Sequence, residues 1–162
     1  MNLFHAPEYS IRLVTPPSSD TIPKSEVIAA GVPTGKIVDG AVFEAALRWN
    51  DHVLLFLTDD VPFEEGLDIY LLDANLDVVD SAKMCVMYST GIFSDLDLTQ
   101  PDAVGFRFFG GIVWTLTLFP EKKFSLPIIS GTWGVSRPFA FFHRFQISGH
   151  PLPETSQAET KL

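Results

Sequence analysis

Residues 42–58 read VFEAALRWNDHVLLFLT, and whether they form a helix or a hairpin decides the fold. Taken as a strand, Phe43, Ala45, Leu47 and Trp49 share one face while Glu44 and Arg48 share the other. That is the period-two pattern of a half-buried strand. Taken as a helix, the same run would be capped by Asp39. The continuation favours the strand, because the turn dipeptide Asn50-Asp51 leads at once into the apolar run from His52 to Leu57. Two apolar runs joined by two turn residues make a hairpin.

Outward from this hairpin the same texture continues. Apolar runs cover 42–49, 52–58, 67–72, 77–81, 83–88, 92–98, 104–109, 112–119 and 138–148. Turn signals stand at 50–51, 62–66, 74–76, 89–91, 100–102 and 110–111. Short strands at such spacing predict a single all-β domain over 1–150, an antiparallel β-sandwich or flattened barrel of about eight to ten strands. Residues 1–40 hold Pro7, Pro16, Pro17, Pro23, Gly31, Pro33, Gly35 and Gly40, and read as a loop-rich wrap around that core. Within the wrap, Ser10 to Thr15 reads as a strand and Lys24 to Ala30 as a helical turn stopped by Gly31. Residues 151–162, PLPETSQAETKL, read as a disordered tail.

Composition bounds the chemistry. The chain has 162 residues, 46% of them hydrophobic, with fourteen Phe and three Trp. A core of that mass needs neither metal nor disulfide to fold, since each large aromatic buries about 150–250 Å². Cys85, the only cysteine, sits in the apolar run Met84-Cys85-Val86-Met87 and is expected to be buried and inert. The opening MNLFHAPEYS lacks a basic region followed by an apolar run, and no apolar stretch is long enough to span a bilayer. A soluble cytoplasmic protein with no membrane partner is therefore expected.

Net charge is −9, unevenly spread. From Asp39 to Asp102 fourteen acids face only Arg48 and Lys83, a local −12, whereas 103–150 carries five Lys or Arg against Glu121. Phosphate backbones are repelled by such an acidic stretch, so nucleic acid is not expected as a partner, while a basic protein surface is attracted.

No cofactor or metal is implied. In LLDANLDVVD, residues 71–80, the spacing of Asp73, Asn75 and Asp77 opens a calcium loop, but Val78 and Met84 occupy the positions where that loop needs Gly and Glu. A hairpin turn explains the same letters. The Gly31–Lys36 stretch has one residue too few between its glycines for a phosphate loop, and Ile37 stands where Ser or Thr would hold magnesium. His5, His52, His143 and His150 show no zinc-ligand spacing, and no nucleophile elbow is present, so no catalytic residue is assigned.

These observations predict a non-enzymatic protein–protein interaction module of inhibitor, immunity or adaptor type. Its acidic face would comprise Asp59, Asp60, Glu64, Glu65, Asp73, Asp77, Asp95 and Asp97, and its partner would be basic. The alternatives are a β-barrel or sandwich enclosing a small apolar ligand, and a hydrolase or calcium-dependent binder using the acidic loops. Homo-oligomers through the Phe-rich strands are compatible with each.

Overall fold

A computed structural model describes residues 2–61, 65–85, 91–109, 112–124, 134–138 and 140–151. Among them there is no helix. The strands are β1 Leu3–His5, β2 Tyr9–Thr15, β3 Lys24–Ala29, β4 Val32–Asp39, β5 Val42–Trp49, β6 His52–Thr58, β7 Leu67–Leu72, β8 Val78–Met84, β9 Ser94–Asp97, β10 Ala103–Arg107, β11 Ile112–Phe124, β12 Val135–Ser136 and β13 Phe142–Pro151. The fold is all-β and every pairing is antiparallel.

The deciding hairpin forms as β5 and β6, closed by Asn50-Asp51 with Trp49 opposite His52. Asn50 takes a left-handed φ of 55°, which Asn tolerates better than most side chains. One detail departs from simple alternation. Phe43 lies opposite Leu57 and Ala45 opposite Phe56, so Glu44 is the extra residue of a bulge. The bulge turns Phe43 onto the face opposite Ala45, Leu47 and Trp49, where it packs with Ala46 and Leu55.

Three sheets result, with orders β1-β5-β6-β7-β8-β12, β13-β11-β10-β9 and β2-β3-β4. The first sheet is the middle layer. One of its faces packs Leu47, Leu54, Phe56 and Ile69 against Phe106, Trp114, Leu116 and Phe145 of the four-stranded sheet. Its other face packs Leu55, Leu57 and Leu72 with Val27 and Val38 of the three-stranded sheet. Six of the seven β6 side chains are consequently buried, and the run VLLFLT is apolar almost throughout because both sides are covered.

Residues 1–40, expected to be a loop-rich wrap, are mostly strand: β2, β3 and β4 form the third layer, and β1 joins the middle sheet. Lys24 to Ala29 is strand β3, not a helical turn. Ala30 and Gly31 have φ of 50° and 75° and form the two-residue loop between β3 and β4, so Gly31 closes a hairpin instead of stopping a helix. Tertiary burial of Val27 then holds the strand. Two further boundaries differ: runs 77–81 and 83–88 give one strand, β8, ending at Met84, and the run from 138 gives β13, which begins at Phe142 and reaches Pro151. Cys85, just past the end of β8, is exposed rather than buried. Of the expected tail 151–162, Pro151 belongs to β13 instead, and 152–162 lie outside the described residues, as do 62–64 and 89–90 of two expected turns, 86–88 of the run 83–88, and the expected turn at Gly110-Gly111.

Candidate functional site

The six- and four-stranded sheets meet along two seams. At the first, Asp80 of β8 reaches β13: its Oδ2 accepts the backbone N–H of Arg144 at 2.7 Å and of Phe145 at 3.3 Å. Its Oδ1 faces Arg137 Nη2 at 2.6 Å and His143 Nδ1 at 3.2 Å. Arg137 in turn donates to the Phe145 carbonyl at 2.7 Å and lies over the Phe145 ring. Side chains thus occupy the hydrogen-bonding edge of β13 at these residues, and this seam is closed.

The second seam is open. β1 pairs with β5 from Trp49 to Leu47, and Ala6 N–H donates once more to the Ala46 carbonyl, after which the chain turns away at Pro7. From Val42 to Ala45 no strand pairs with this side of β5 among the described residues. The facing strand, β9, is the outer strand of its own sheet. Between them lies a cleft of about 320 Å³ whose lining includes His5, Tyr9, Phe43, Glu44, Phe93 and Asp95. Phe93 stacks on the core rings of Phe56 and Phe106, with centroids 5.1 and 5.6 Å away, and so forms an anchored apolar wall.

Both carboxylates of the cleft arrive through bulges. Glu44 is the bulged residue of β5, and its Oε1 accepts from Thr58 Oγ1 at 2.8 Å. On β9 the register slips between Ser94 and Asp97, where Asp95 has a φ of 54° and pairs with Arg107 at 3.3 Å. Bulges commonly re-aim side chains at sheet rims. Of the seven described acids among the eight expected to form one face, Asp95 is the one placed in this cleft, and Glu44, His5 and Tyr9 stand beside it outside the expected set.

The other acids are dispersed. Asp59 and Asp68 are buried around Lys83, whose Nζ stands 2.8 Å from Asp59 Oδ2 and 3.4 Å from Asp68 Oδ1. Gly66 makes the space, since a Cβ there would stand 2.5 Å from Asp59 Oδ2. Burial, and then the neighbouring Asp59 carboxylate, push the pKa of Asp68 up to about 8. Burial opposes the charge of Lys83, but the two carboxylates outweigh it and its pKa is raised. Burial also raises Glu65, although its Oε1 accepts the backbone N–H of Asp59 and Asp60. Asp73 and Asp77 sit at the opposite end of β7, about 17 Å away at about 3.3 Å per residue.

There Asp73 Oδ1 accepts from the N–H of Asn75 and Asp77, forming the expected turn, with Leu76 rather than Asn75 at positive φ. Asp77 pairs with Lys36 of β4 at 2.5 Å. Asp97 Oδ1 caps the Thr99 N–H. Cations supplied by 1–40 and 103–137 therefore meet several acids that the sequence leaves without partners: Lys24 with Asp39, Lys36 with Asp77, Arg107 with Asp95 and Arg137 with Asp80. Among the described residues no group of three or more His, Cys, Asp or Glu side chains is placed to hold a metal ion. In class the molecule is a three-layered antiparallel β-sandwich with an acid-rimmed cleft at its open seam. Comparison with protein-family models, curated proteins and solved structures gave no match.

Proposed function

We propose that this protein is a non-enzymatic interaction module that binds a basic protein partner, of inhibitor, immunity or adaptor type, in the cleft between β5 and β9. The observation that carries the reading is the coincidence, in one concave place, of two bulge-presented carboxylates, Glu44 and Asp95, with the apolar wall of Phe93 and Phe43. Acids placed on a rim steer a cationic partner, and apolar side chains supply the contact area that holds it. The Asp59–Asp68–Lys83 cluster is a poorer candidate, because both its carboxylates are buried, whereas Asp95, although paired with Arg107, is exposed.

The test is binding of immobilised polylysine to the wild type and to a Glu44→Gln/Asp95→Asn double variant. Rim charges act mainly through screened electrostatics, so affinity should fall at least tenfold between about 0.05 M and about 0.5 M salt, and the double variant should lose most of that dependence. Equal binding by wild type and double variant at low salt would place the acidic site elsewhere and overturn the reading.

A further inference from the structure

We infer that the cleft receives its partner as an added β-strand along the open edge of β5 from Val42 to Ala45, an inference that rests on the cleft being the partner-binding site. Three observations carry it. First, this stretch of β5 is paired with β6 on one side only among the described residues, and an exposed edge of backbone donors and acceptors is a template for another strand. Second, β1 already pairs with the same edge and leaves it at Ala6, so an incoming segment would continue the line that β1 begins. Because Glu44 is bulged, β6 matches this stretch with three residues, Phe56 to Thr58, and an added strand of about three residues would likewise span it. Third, the corresponding seam on the other side of the sandwich is plugged by Asp80 and Arg137, which occupy the backbone groups of Arg144 and Phe145 on β13. The open seam has no such plug among the described residues.

The walls specify the partner. Successive side chains of an added strand point to opposite faces of the sheet. One set would meet β9, where Asp95 is exposed at the cleft rim beside Phe93. The other would meet Tyr9 and Phe43, which pack on the opposite face of the middle sheet. The segment recognised is thus extended and alternates basic with apolar residues, its cations near Asp95 and Glu44 and its apolar side chains against Tyr9 and Phe43.

The probe is an acetylated, amidated (Lys-Val)3 hexapeptide, compared with two analogues methylated on the backbone nitrogens of either all Lys or all Val. The two sets of N–H groups lie on opposite edges of a strand, and charge and side chains are the same in all three peptides. Strand addition predicts that one analogue binds at least tenfold more weakly, since hydrogen bonds along one edge are lost, while the other stays within about threefold of the parent. If both analogues bind like the parent, strand addition is overturned while the charge reading stands. If the parent does not bind at low salt, strand addition is overturned, and polylysine binding by the Glu44→Gln/Asp95→Asn variant decides the charge reading on its own. Concentration-dependent shifts of residues 42–46 in protein alone would assign the edge to a second copy of this chain and likewise overturn the proposal.

Discussion

Asp68 shows how much a single side chain decides here. Its folded pKa of about 8 lies above that of an unfolded aspartate, so the folded chain holds a proton that the unfolded chain has released. Where the folded state binds more protons, stability falls as pH rises, and for Asp68 that window runs from about 4 to about 8. Asp68→Asn fixes the neutral form. Thermal melts at about pH 5 and about pH 8.5 should show the variant gaining on the wild type at the higher pH; a difference that is the same at both values would remove Asp68 as the source. Asp80 is held by contacts across the seam: two backbone N–H groups donate to it and the Arg137 guanidinium faces it. Asp80→Ala removes the carboxylate from that cation and from two backbone N–H groups, and should cost about 3–5 kcal/mol in denaturant unfolding.

At the scale of elements, β6 tests the layering. Leu55 and Phe56 are both fully buried but face different sheets, the three-stranded and the four-stranded respectively. Leu55→Ala should cost about 2–5 kcal/mol and Phe56→Ala about 3–5 kcal/mol, measured by urea unfolding. If the three-stranded layer were not packed there, Leu55→Ala would cost less than about 1 kcal/mol, as surface changes do. The β5–β6 hairpin was legible in the sequence because turn chemistry and period two agreed at Asn50-Asp51. The bulge at Glu44 was not, since inserting one residue flips the faces without changing any local propensity. Residues 24–31 misled for a related reason. Ala-Gly after an apolar run reads equally as a helix end or a two-residue turn, and it is the burial of Val27 against β6 that chooses.

For the whole molecule, the charge pattern along the chain does not carry over to space. Lys24 and Lys36 lie far in sequence from Asp39 and Asp77, or near them only through a hairpin, and pairing in three dimensions reduces the apparent −12. Cross-strand and cross-sheet partners depend on topology, which a composition count cannot contain. The acids at the cleft were legible as acids, but their convergence was not, because Glu44 and Asp95 belong to different sheets that meet only once the sandwich closes. The proposed recognition at the open seam is read out by following backbone amide chemical shifts in labelled protein as (Lys-Val)3 is added at low salt. Binding at the seam predicts shifts concentrated at residues 42–46 and 93–97 and lost at high salt; shifts centred on the Asp73–Asp77 turn, or none at all, would contradict it.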